Sequence, residues 1–124
     1  MPIDGISQVA VDLIHKAVHT DGGKLVISGM GKAGQIGVNI ATTFSSTGTP
    51  AIFLHPSEAQ HGDLGMIQEK DVLFVISNSG KTREIIELTH LARGLYPNIK
   101  IICLSGKSDG ELNEMCDMTL STGS

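Results

Sequence analysis

The chain contains no tryptophan, a single tyrosine and three phenylalanines, so only 3% of its residues are aromatic. A core without large rings must close on Ile, Leu, Val, Ala and Met, and the stacking platforms that hold single-stranded nucleic acid are missing. Nine Lys and Arg stand against thirteen Asp and Glu, a formal net charge of -4, and the basic residues nowhere cluster. That removes the electrostatic footprint of a phosphate-backbone binder, so no nucleic acid is expected as a partner. A small anion would have to be held by local dipoles. No apolar run approaches the roughly 18 residues of a membrane span, and the first twelve residues carry acids in place of a signal peptide's apolar stretch. No membrane partner is expected. The two cysteines, Cys103 and Cys116, lack CxxC spacing; reduced thiols and a cytoplasmic location follow.

What is present is enough for one domain: 124 residues, 40% of them apolar and 18% charged. Residues 5–19 place Ile6, Val9, Ala10, Leu13, Ile14, Ala17 and Val18 at helical spacing, with Asp4 as N-cap and Asp21-Gly22-Gly23 as the stop. Four short apolar runs follow, 24–28, 51–54, 72–77 and 99–104, each without alternation, as buried parallel strands read. Helical patterns over 32–46 and 82–95 separate them. A shorter helix is expected after Ser108-Asp109-Gly110-Glu111, which has capping-box form, and a fifth strand over 118–120. Strands alternating with helices predict an α/β fold: a three-layer open sandwich on a five-stranded parallel sheet.

The chemistry should sit in the loops at the strand ends. Gly29-Met30-Gly31-Lys32-Ala33-Gly34 matches G-x-G-x-x-G at a strand-to-helix turn, where backbone amides can face a phosphate. A dinucleotide site also wants an acid at the end of the second strand; this chain has His55 and Pro56 there, so a dinucleotide-dependent oxidoreductase reading is disfavoured. The third strand runs into Ser77-Asn78-Ser79-Gly80-Lys81-Thr82, hydroxyls leading into a helix. The Gly-Lys-Thr inside it is not a nucleotide P-loop, because position 75 is Val where the motif needs Gly. Such a turn still suits a phosphate, although Thr82 or Ser79 could serve only as a helix cap. First and third strands are commonly neighbours in a doubly wound sheet, so both loops should border one crevice. Between the second and third strands, His55 to Gly65 forms a long polar stretch carrying His55, Glu58, His61 and Asp63; its spacing matches no standard metal pattern, so no metal is expected, and an imidazole there could serve as acid or base.

These segments, with Ala41-Thr42-Thr43-Phe44-Ser45-Ser46-Thr47-Gly48-Thr49-Pro50, closely resemble the sugar isomerase (SIS) domain of arabinose-5-phosphate isomerases, almost continuously from Lys24 to Leu120. The resemblance implies a flavodoxin-like sheet, a cytoplasmic homo-oligomer (dimer or tetramer), and no organic cofactor. It implies interconversion of ribulose 5-phosphate and arabinose 5-phosphate on the way to the Kdo sugar of lipopolysaccharide and capsules. Carried over, Ser77, Ser79 and Thr82 look like phosphate ligands, with Gly31, Asn78 and His55 among the substrate-binding positions. Lys32, His61 and Glu84 resemble positions used at the reacting end. Moving a carbonyl between C1 and C2 needs a base, for which Glu84 and His61 both qualify, and Lys32 could stabilise the enediolate charge. For Glu84 the plainer reading is compensation of a helix dipole.

Two departures stand out. Many members carry Glu after the Ser-x-Ser-Gly turn, where this chain has Lys81. The family also continues past its last strand with a Glu-containing turn, a Thr-rich loop and a helix bearing a further His. The expectation is therefore one SIS domain over 1–124, truncated at its C-terminus and without CBS domains, with one sheet face lacking a covering helix unless a partner chain fills it. That shortening sets a second function beside isomerisation: a non-catalytic sugar-phosphate-binding or regulatory module.

Overall fold

The computed structural model describes residues 8–57, 65, 67–77, 82–106 and 111–121. Five strands form one sheet: β1 (Leu25–Gly29), β2 (Ala51–Phe53), β3 (Val72–Ser77), β4 (Lys100–Ser105) and β5 (Met118–Ser121). All pairings are parallel, in the order β2-β1-β3-β4-β5. The helices are α1 (Gln8–His15), which runs on as a π-helical turn over Lys16–Thr20, then α2 (Lys32–Ser46), α3 (Arg83–Leu95) and α4 (Glu111–Met115). The expected three-layer sandwich and five-stranded parallel sheet are present.

The missing alternation in the strands has a simple cause. Every residue of β1 and β3 is buried, since side chains pointing either way meet a layer of helices. On one face Leu25, Ile27, Val72, Phe74, Ile76, Ile102 and Leu104 pack with Ile14, Ile40 and Phe44 from α1 and α2. On the other, Val26, Leu73, Val75, Ile101 and Cys103 pack with Ile85, Leu88, Ala92 and Leu112 from α3 and α4. This corrects the expectation of a face without helical cover: helices lie on both. From β1 the chain moves outward to β2 and then, past β1, in the opposite direction through β3, β4 and β5. Right-handed crossovers on the two sides of that reversal place their helices on opposite faces.

Two close fits hold β1 in place. A Cβ on Gly37 of α2 would come within 2.9 Å of Phe53 Cε1 and 3.0 Å of Ile27 Cγ2, so the helix lies tight against the sheet. At the amino end of the strands the buried Asp71 carboxylate accepts from Lys24 N (2.9 Å), Lys24 Nζ (2.7 Å) and Gln68 N (2.8 Å). Both cysteines are free, Cys103 buried and Cys116 half-buried.

Asp71→Ala would strip two backbone N–H groups and the Lys24 ammonium of their acceptor, and is expected to lower stability by about 3 kcal/mol. Urea unfolding measures this; a loss below about 1 kcal/mol would show that the pair does not anchor β1 to β3.

Candidate functional site

Two turns meet at the carboxyl edge of the sheet because β1 and β3 are hydrogen-bonded neighbours, with Gly29 opposite Ile76. Leaving β1, the chain turns at Met30 and Gly31 and enters α2 at Lys32. Gly31 stands at φ 60°, ψ −127°, a region that strains any side-chain-bearing residue. A Cβ on Gly34 would lie 2.9 Å from the Gly29 carbonyl oxygen, so only glycine lets the helix begin this close to the strand. The first turn of α2 holds no acidic residue, and Lys32 is exposed at its first position. A cation at the positive end of a helix dipole is disfavoured by up to about 1 kcal/mol; an anion between the two would turn that repulsion into attraction.

The second turn lies at the end of β3. Ser77 is buried there, and its Oγ is 2.8 Å from Oγ1 of Thr82. Thr82 occupies the N-cap position of α3 with extended backbone, yet its side chain makes no capping hydrogen bond. The hydroxyl that a helix would ordinarily use for itself is paired with Ser77 instead. Each hydroxyl has one donor hydrogen and two acceptor positions; with Ser77 donating across the pair, the Thr82 hydrogen can turn toward an anion beneath the amino end of α3. Glu84 follows in the first turn of that helix, half-buried.

His55 lies two residues beyond β2, on the far side of β1 from β3. Its Nδ1 accepts from the Ser57 backbone N–H (3.1 Å) and lies 2.7 Å from Ser57 Oγ. The neutral ring therefore carries its proton on Nε2. Ser77, Thr82 and Glu84 thus share one strand-to-helix junction, Gly31 and Lys32 the junction beside it, and His55 the outer one. His61, Asn78 and Ser79 lie outside the described residues.

Other hydroxyls at this edge were not singled out from the sequence. Ser28 and Ser105 are both fully buried, and Ser105 pairs in register with Ser77 on one side and Ser121 on the other. The signal was available: β1, β3, β4 and β5 each bring an apolar run to a serine at or next to its last residue. A cleft of about 380 Å³ opens at the opposite, amino edge, lined by Asp21, Glu69, Lys70, Asp71, Asn98 and Lys100. Its mixed charges, with Asp71 already bound to Lys24, select for no one class of ligand.

A parallel sheet whose strand order reverses between β1 and β3, with a glycine turn and a hydroxyl pair at that reversal, is the architecture of a doubly wound α/β domain with its crevice at the carboxyl ends of the strands. Residues 20–124 match the SIS domain family, and the chain belongs to it. Among its relatives, the arabinose 5-phosphate isomerase KdsD of Shigella flexneri is 47% identical over 98 residues, which cover 79% of this chain and 29% of that protein. A Bacteroides fragilis protein assigned as a phosphosugar isomerase involved in capsule formation is 59% identical, with a TM-score of 0.91 over 99% of this chain and 64% of the other. A protein of Escherichia coli CFT073, solved in complex with arabinose 5-phosphate, is 36% identical, with a TM-score of 0.81 over 97% of this chain and 62% of the other. The chain thus spans under a third of the curated relative and just under two thirds of each solved chain.

Gly31→Ala is expected to lower stability by about 1–3 kcal/mol, although among the described residues nothing beyond its chain neighbours lies within 4 Å of the added Cβ. Thermal unfolding would show it, and an unchanged midpoint would mean that the turn tolerates an ordinary backbone.

Proposed function

We propose that the carboxyl edge of this sheet holds a pentose 5-phosphate and that the protein interconverts D-ribulose 5-phosphate and D-arabinose 5-phosphate. The observation that carries the reading is the Ser77–Thr82 hydroxyl pair, released from capping duty beneath the amino end of α3. Beside it, across the β1–β3 pairing, stands a second helix start bearing Lys32. Two positive helix ends, two hydroxyls and one ammonium provide local dipoles for a dianion in a chain whose net charge is -4. The arabinose 5-phosphate isomerase name of the curated relative and the arabinose 5-phosphate bound to the solved one support the same substrate class.

In this scheme Ser77 and Thr82, with Ser79 and Asn78, bind the phosphate, while Gly31 and His55 border the sugar. A base, Glu84 or His61, removes a proton from C1 of the ketose. The electrons form a C1–C2 enediolate whose charge on O2 Lys32 stabilises; the proton returns to C2, and the proton of the O1 hydroxyl passes to O2, leaving the aldehyde at C1 and a hydroxyl at C2. Positioned acid–base groups contribute about 10² to 10⁴ in rate. The product is suited to Kdo synthesis for lipopolysaccharide or capsule, in the cytoplasm. No described helix is long and apolar enough to cross a membrane. A homo-oligomer, dimer or tetramer, is part of the proposal: Ile36 and Val38 are exposed on α2, and Leu91 and Leu95 on α3. An open apolar groove beside edge strand β2, lined by Val38, Ala41 and Phe53, adds to that surface.

The test is formation of arabinose 5-phosphate from ribulose 5-phosphate by the purified protein and by its Lys32→Ala and Glu84→Gln variants. Each substitution is expected to cut kcat at least about 100-fold. Binding of the sugar phosphate without turnover would leave a binding or regulatory module as the function, and turnover that survives both substitutions would overturn the roles assigned to them.

A further inference from the structure

Among the described residues, Ser28 Oγ is the buried side-chain polar atom without a hydrogen-bond partner. Its residue is 0% exposed. Packing does not call for that hydroxyl, because alanine would fill nearly the same space without burying an oxygen. A lone buried hydroxyl is a cost that native structures rarely carry without a use.

The position of Ser28 indicates the use. Leu25 and Ile27 of β1 point toward α1 and α2, while Val26 points toward α3 and α4. By strand alternation Ser28 shares the side of Val26. Its partner across the sheet is Val75, which also packs on the α3 side. Two residues further along β3, on that same side, is Ser77, bonded to Thr82 at the start of α3. Ser28 therefore lies one side-chain layer beneath the hydroxyl pair, at the strand reversal and under the amino end of α3. Neighbouring strands stand about 4.8 Å apart, and alternate residues of a strand about 6.6 Å apart. On that diagonal Ser28 and Ser77 are too far apart to bond one another, but one oxygen placed between them could reach both.

We infer that Ser28 is a positioning residue of the anion site, whose hydroxyl gains its partner when a phosphate oxygen, directly or through one ordered water, occupies the space beside Ser77 and Thr82. This rests on the sugar-phosphate reading above and extends it to a group inside the sheet layer. The free protein keeps the oxygen unpaired, and the bound protein pairs it, so part of the binding free energy comes from relieving the orphan.

Ser28→Ala and Ser28→Thr would be compared with the unaltered chain by thermal unfolding and by calorimetric titration, with inorganic phosphate and arabinose 5-phosphate as probes. Ser28→Ala is expected to melt about 3 °C higher without ligand and to bind arabinose 5-phosphate about five- to tenfold more weakly, while Ser28→Thr restores the affinity. A residue with a merely structural role would not become more stable while losing affinity. An unchanged affinity in Ser28→Ala overturns the inference, as does a lower melting point without ligand, which would mean that the hydroxyl is already paired. If the unaltered chain binds neither probe, the anion site itself falls, and the role of Ser28 with it.

Discussion

Parallel pairing of β1 with β3 over five residues, Leu25 to Gly29 against Val72 to Ile76, is the contact on which the rest of the molecule depends. It puts the reversal of strand order between two central strands, so one crossover helix goes to each face and the two following turns open side by side. The amino end of the pair is held by Asp71 on Lys24 and the Gln68 amide, and its flank by the glycines of α2 that bring the helix down onto β1. A slip of one residue in this pairing would carry Ser77 away from the α3 side and dismantle the hydroxyl pair.

The same economy of charge runs through the site. An acidic chain cannot attract a phosphate by its overall field, and the structure contains no basic cluster among the described residues that would do so locally. It has helix amino ends, one of them with Lys32 at its first position, and hydroxyls turned away from their ordinary capping duty. Dipoles of this kind act over a few ångströms. On the proposed reading, binding by such means demands that the two turns be set in place beforehand, and the two strands that carry them are buried throughout.

Much of this was legible in the residues. The unalternating run Val72 to Ser77 reads as a strand covered on both sides, and it is. The helix over 32–46 has the bounds its apolar spacing predicted, and the glycine run announced a strand-to-helix turn. Less legible was the first helix, whose spacing suggested one continuous element to residue 19; from Lys16 it widens into a π turn, an adjustment of backbone hydrogen bonding that side-chain periodicity does not record. Covering of both sheet faces was also misjudged, because the number of helices on each side follows from the crossovers and not from their count along the chain.

By itself the sequence determined the class of fold, the two turns and the residue types that border them, since strand and helix periods and the demands of glycine are properties of neighbouring residues. Only the tertiary structure decided which hydroxyls share a space. That Ser105 stands beside Ser77 and that Ser28 lies beneath it unpaired follow from strand register, whereas Thr82 meets Ser77 within their own turn. Register is set by packing between segments far apart along the chain, and no local pattern carries it.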